Sequence, residues 1–203
     1  MDNLRRLEEI FTKFPGIGPK QARRFVYYLL TRSSQYVEEF GQLIKETKKM
    51  SFECNSCHRL FLHSNKNIEA CSVCLDNSRD SSTLMIVARD SDFEVIEKSG
   101  SYKGLYFILG GTIPILDKEP EKRVRLEQLL KHISNLKNLK EIILSLNTTP
   151  DGEHTLNIIR EAIQRILNGK MVKISVLGRG LSTGAELEYA DTETIKNALL
   201  NRK

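Results

Sequence analysis

Four cysteines set the first chemical question. They stand as Cys54-x2-Cys57 and Cys71-x2-Cys74, with thirteen residues between the pairs. A CxxC turn presents two thiolates to one ion, and an intervening loop lets two such turns complete a tetrahedron around Zn2+. Disulfides suit an exported chain, and no export signal is evident here. A thioredoxin-type CxxC belongs at the start of a helix after a strand, whereas both pairs lie in a polar stretch. Cys54, Cys57, Cys71 and Cys74 are therefore expected to hold one Zn2+ per chain. Four thiolates leave no position for water, so the expected role is structural: to order a segment too polar to fold alone. His58 and His63 lie close in sequence, but with the shell already filled they are expected at the surface.

A second stretch, FPGIGPKQARRFVYYLL from Phe14 to Leu30, sets two glycines beside two prolines ahead of a basic, apolar run. Gly16 and Gly18 permit backbone conformations that a side chain would block. Such a turn leaves N–H groups pointing outward at a helix start, where the helix dipole also favours an anion. Lys20 and Arg24 are four apart and share one face of the following helix, with Arg23 about 100° round from them. No acidic residue occurs between Lys13 and Glu38, so nothing in the local sequence neutralises this face. Two readings fit the spacing: a glycine turn with solubilising basic residues, or a device for holding phosphates.

Three kinds of segment must position these groups. Leu4, Leu7, Ile10, Phe11 and Phe14 recur at helical spacing until Pro15–Gly16 ends the pattern. A second helix is predicted from near Pro19, with Ala22, Phe25, Val26 and Leu29 on its apolar face, and a third from about Val37 to Met50. Residues 51–80 hold all four cysteines and little apolar periodicity. From Thr83 the short runs TLMIVA, LYFIL, EIILSL and KISVL alternate with helical stretches near Phe93–Lys98, Val124–Leu136 and Leu156–Leu167. That alternation calls for an α/β fold with a parallel sheet and crossover helices. A last helix, Thr192 to Leu200, closes the pattern.

At the PGIG turn the sequence resembles the helix–hairpin–helix of RecR, a family of bacterial recombination mediators, and Lys20 and Arg24 match its DNA-facing basic positions. The family also has a four-cysteine zinc module at this place in the chain, with a loop shorter than the one here. The segment from Thr83 to about Val176 resembles a Toprim domain, the fold shared by topoisomerases, bacterial primases and RecR. Catalytic members hold Mg2+ with a Glu ending the first strand and an Asp-x-Asp ending a later one, oxygen ligands that stabilise charge on a phosphodiester. Here Ala88 takes the Glu position, and Ser145 and Asn147 stand where the paired acids would. Ala88 departs even from RecR, in which that Glu is implicated in partner contacts. Asp90 and Asp92 read as capping groups at a helix start. Asp151, Gly152 and Glu153 match the family's acidic stretch and are expected at a partner surface. GRGLSTGAELEYAD, Gly178 to Asp191, resembles the family's C-terminal signature; it lacks the GKS/T of a P-loop and does not fit GxGxxG.

The resemblance runs along essentially the whole chain: residues 1–50 as a helix–hairpin–helix DNA-binding module, 51–80 as the zinc module, 81–177 as the Toprim domain, and 178–203 as the C-terminal signature and helix. It implies a non-enzymatic mediator of recombinational DNA repair. Such a protein would bind DNA without sequence preference, act with RecF and RecO at gapped DNA, and help RecA replace single-strand-binding protein. It would also assemble into a ring, often a tetramer.

Charge agrees with a polyanion partner. Of 31 Lys/Arg and 26 Asp/Glu in 203 residues, ten and six lie in residues 1–50. Most of the positive excess thus sits beside the hairpin. No apolar run of about 18 residues suggests a membrane span, and no signal core is visible at the N-terminus, so a cytoplasmic, nucleoid-associated protein is expected. Two rival readings stay open. One is a Mg2+-dependent primase- or topoisomerase-like enzyme, for which Tyr27, Tyr28, Tyr102 and Tyr106 read as core or interface residues and not as nucleophiles. The other is a zinc-stabilised interaction module without DNA binding.

Overall fold

The apolar runs at 83–88, 105–109, 141–146 and 173–177 are nearly continuous, as strands buried on both faces of a parallel sheet must be. In the computed structural model, which describes residues 2–65, 68–117, 119, 122–169 and 171–202, they form one four-stranded parallel sheet. Its strands are β3 (Asp80–Val87), β4 (Gly104–Ile108), β5 (Glu141–Ser145) and β6 (Lys173–Val176), in the order β4-β3-β5-β6. Met85 pairs with Tyr106 on one side and with Ile143 on the other, and Val87 with Ser145. Ahead of the sheet come α1 (Asp2–Thr12), α2 (Pro19–Leu30), α3 (Ser34–Met50), β1 (Ser51–Glu53), β2 (Leu60–Leu62) and α4 (Ser72–Leu75). The connecting helices are α5 (Asp90–Ser99), α6 (Leu126–Asn135) and α7 (Pro150–Ile166), and α8 (Thr192–Leu200) follows the sheet.

Side chains alternate across a strand, and the two faces of this sheet have different covers. Leu84, Ile86, Ala88, Phe107, Leu109, Ile142 and Leu144 pack with Leu129 and Ile133 of α6 and with Leu156, Ile159 and Ile163 of α7. Met85, Val87, Tyr106 and Ile108 pack instead with Phe93 of α5 and with Cys54, Cys57 and Cys71. The cysteine segment thus serves as one cover of the sheet. Residues 51–80, which show little apolar periodicity, contain a two-stranded sheet of β1 and β2 and the single turn of α4. Elements this short carry no legible period.

The chain divides into two compact units, Met1–Ser51 with Leu62–Lys66 and Phe52–Phe61 with Asn67–Lys203. In the first, Phe11 of α1 meets Phe25 of α2 edge-on with ring centroids 5.6 Å apart, while Ala22 and Val26 are fully buried. Ser33 caps α3 through a bond accepted from the Tyr36 N–H. Yet α3 has no buried residue. Tyr36, Val37, Phe40, Leu43 and Ile44, at helical spacing, are all 40–54% exposed. An apolar stripe of this length is normally covered.

Candidate metal centre and nucleic-acid face

The Sγ atoms of Cys54, Cys57, Cys71 and Cys74 all lie within 4.8 Å of one another. Cys57 and Cys71 Sγ are 3.7 Å apart. A Zn–S bond of about 2.3 Å in a tetrahedron gives an S···S edge of roughly 3.8 Å, whereas a disulfide requires about 2.05 Å. The donor set therefore fits a tetrahedral metal ion. Three of the four cysteines are buried and Cys74 is half-buried. The backbone builds both turns: the His58 N–H donates to the Cys54 carbonyl at 2.9 Å, and the Cys74 N–H to the Cys71 carbonyl at 3.0 Å. His58 adopts φ 61°, the left-handed conformation that closes the first knuckle.

Hydrogen bonds, first from Cys57, hold the Cys54 thiol far below its ordinary pKa, and the same network, with burial, drives Cys57 far above its own. A bound dication favours the thiolate form of its cysteine ligands. His58 is not the surface group expected. Its Nδ1 pairs with Glu53 Oε1 at 2.6 Å, and its ring packs edge-on against Phe107. Glu53 also meets Arg125, whose guanidinium donates to the Ile108 carbonyl.

Ala88 and Ser145 lie at the ends of neighbouring strands, where a Toprim enzyme would gather its acids. Ala88 is fully buried. The four carboxylates near that edge in sequence are each engaged elsewhere. Asp90 accepts the Leu60 N–H at 2.8 Å, and so ties the cysteine segment to α5; it does not cap the helix. Asp92 accepts the Arg89 N–H at 3.0 Å, as a capping group should. Asp151 accepts the Ile115 N–H at 3.2 Å, and Glu153 pairs with Arg179. Gly152 is buried beneath Thr149, which caps α7 by accepting its N–H. A Cβ at Gly152 would overlap the Asn147 carbonyl oxygen. Among the described residues, the four cysteines are the one grouping of three or more His, Cys, Asp or Glu placed to share a metal ion. Of the tyrosines, Tyr106 is buried and burial pushes the Tyr102 hydroxyl up to about 12; Tyr27 and Tyr28 are half exposed on α2.

The hairpin turn places Gly16 at φ 76°, where a side chain would be strained. Gly18 differs from expectation: as the N-cap of α2 it has φ −84°, and a Cβ there would meet nothing within 4 Å. Any residue could adopt that backbone, so what its missing side chain provides is close access to the helix end. No side chain caps α2, and its first-turn N–H groups have no intrahelical acceptor. Lys20, Arg23 and Arg24 are all exposed. Their face is less free of acid than the local sequence implies, because Glu8 of α1 reaches Arg23 at 3.0 Å. The Arg24 guanidinium donates to the Gln21 side-chain oxygen at 3.4 Å.

A Toprim-type sheet with an apolar residue at its first acid position, joined to a helix–hairpin–helix with a cationic face, defines a DNA-handling protein of the Toprim class. Residues 82–178 match the family described as Toprim domain, residues 4–48 that described as RecR, helix-hairpin-helix, and residues 180–203 that described as RecR, C-terminal. Proteins named Recombination protein RecR are similar along nearly the whole length. The one from Bacteroides thetaiotaomicron is 36% identical over 192 residues, covering 95% of this chain and 89% of its own. Those from Streptococcus mutans (34%) and Lactobacillus johnsonii (30%) each align over 197 residues, 97% of this chain and 94% of theirs. The chain belongs to the RecR family of recombination mediators in DNA repair. No helix among the described residues is long and apolar enough to cross a membrane.

Proposed function

We propose that the protein binds DNA without sequence preference through α2, and acts with RecF and RecO at gapped DNA to help RecA replace single-strand-binding protein. The carrying observation is the outward face of α2: an uncapped helix start beside exposed Lys20 and Arg24, with Gly16 and Gly18 shaping the approach and Arg23 at its flank. Phosphates need charge and N–H donors of this kind and offer no base identity. The metal of the cysteine centre is Zn2+, one per chain and structural. The protein works as a homo-oligomeric ring, a tetramer by family resemblance, and the uncovered apolar stripe of α3 supports self-association. In a ring each subunit adds its own phosphate contacts. The protein is not an enzyme, a reading supported by Ala88, Ser145 and Asn147 and by the separate engagements of Asp90, Asp92, Asp151 and Glu153. Asp151 and Glu153, on a turn shaped by Gly152, form the partner surface. The setting is the bacterial nucleoid in the cytoplasm.

The test is Lys20→Ala with Arg24→Ala, measured as DNA affinity against salt for two unrelated sequences. Each lost phosphate contact should reduce the slope of log affinity against log salt by roughly 0.9 on duplex DNA or 0.7 on single strands. Both sequences should weaken equally. Wild-type affinity and slope in a folded variant would move the DNA surface elsewhere.

A further inference from the structure

The cationic face of α2 continues into aromatic residues. At about 100° per residue, Lys20, Arg24, Tyr27 and Thr31 fall within about 60° of one another around the helix, with Arg23 and Tyr28 on the two flanks. Pro19, Lys20, Arg23, Arg24, Tyr27 and Tyr28 line one open groove, and none of them is acidic. Tyr27 is 54% and Tyr28 49% exposed. Tyr28 is also held in place: the Arg32 guanidinium lies 4.1 Å over one face of its ring. Its hydroxyl bonds with that of Tyr36, which raises the Tyr36 pKa above its ordinary value.

Single exposed aromatics need no explanation. Two adjoining rings in a groove whose charged residues are all cations are the combination that unpaired nucleotides require, cations for the backbone and π faces for the bases. In a duplex the bases are already stacked, and only phosphates and groove edges are on offer. We propose that this groove is a single-strand site, in which Lys20 and Arg24 take phosphates while Tyr27 and Tyr28 stack on unpaired bases. It gives the protein a preference for single-stranded over duplex DNA. The inference rests on the DNA-binding reading of α2.

The experiment measures binding of the full-length, zinc-loaded protein to a labelled oligonucleotide, single-stranded and as a duplex, at one low salt concentration. Tyr27→Leu with Tyr28→Leu keeps apolar bulk and removes the π faces; Tyr27→Phe with Tyr28→Phe keeps the rings. Both residues lie off the buried face of Ala22 and Val26, so the fold survives. The leucine pair should weaken single-strand binding by roughly five- to 150-fold for each base stack lost and leave duplex binding unchanged. The phenylalanine pair should behave as wild type. Equal loss on both DNAs, no loss on either, or a change of native mass in the leucine pair would overturn the proposal. Lys20→Ala with Arg24→Ala separates the two readings. If it weakens both DNAs while the leucine pair weakens neither, only the stacking site fails; if it too weakens neither, the DNA reading of α2 fails.

Discussion

The Ile108 N–H donates to the carbonyl of Cys57 at 2.8 Å. Ile108 belongs to β4, one of the two edge strands of the sheet, so the first metal knuckle takes up a backbone donor that an edge would otherwise leave open. Asp90 holding Leu60, and Arg59 set over the Phe93 ring at 4.4 Å, fasten the same segment to α5.

Metal loss should therefore unfold more than residues 51–80. Structural zinc contributes about 10–16 kcal/mol of apparent binding energy, as much as or more than the roughly 5–15 kcal/mol that keeps a domain folded. Cys71→Ser, or chelation of the wild type, should abolish zinc content and deprotect the Ile108 amide in hydrogen exchange. An intact zinc content in Cys71→Ser would remove that residue from the shell.

The α3 stripe predicts a change of native mass. Phe40→Asp with Ile44→Asp places two carboxylates where each apolar side chain would bury about 1.5–3 kcal/mol on association. The variant should keep its helical circular dichroism and fall to a smaller species in native mass spectrometry. An unchanged mass would take α3 out of the subunit contact.

Gly152→Ala tests whether the acidic turn is shaped from beneath. Its Cβ would overlap the Asn147 carbonyl oxygen, and overpacking of this kind costs about 1–3 kcal/mol. The expected result is a lower thermal midpoint, while Asp151→Asn costs less because its amide oxygen can still accept the Ile115 N–H. A wild-type midpoint in Gly152→Ala would show that the turn yields.

Acid stability should depend on Glu97. Arg79, its side chain only 6% exposed, donates to both Glu97 oxygens at 2.7 and 2.9 Å. That bond, first among the causes, holds Glu97 below its ordinary value of 4.5. A carboxylate with a depressed folded-state pKa contributes fully above the unfolded value and loses the contribution as pH falls through the folded one. Glu97→Gln should lower the unfolding free energy from urea titration at pH 7, by about 1.5–3 kcal/mol for a charged hydrogen bond, and flatten the decline below pH 4.5. An equal decline in both proteins would assign acid sensitivity to other groups.

Local patterns in the chain were highly legible. Pro19 starts α2, Thr192–Leu200 is α8, and each apolar run became a strand within one to three residues, because strand burial and helix period are written in neighbouring side chains. The Cys54/Cys57 and Cys71/Cys74 spacing likewise announced its cluster. Gly18 was misread because glycine alone does not report φ. His58 was misread because its packing on Phe107 depends on a strand far along the chain.

Residue types and spacing by themselves determined the two CxxC pairs, the cationic helix and the order of strands and helices, since each is written in residues only a few positions apart. Tertiary structure alone decided which acids are occupied. Glu8 meets Arg23 across 15 residues, Glu153 meets Arg179 across 26, Asp90 meets Leu60 across 30, and Asp151 meets Ile115 across 36. Glu8 meets Arg23 because the hairpin folds α1 against α2, and the other pairs meet because the sheet, its crossovers and the segments packed on them bring distant backbones together; no local period encodes such a meeting.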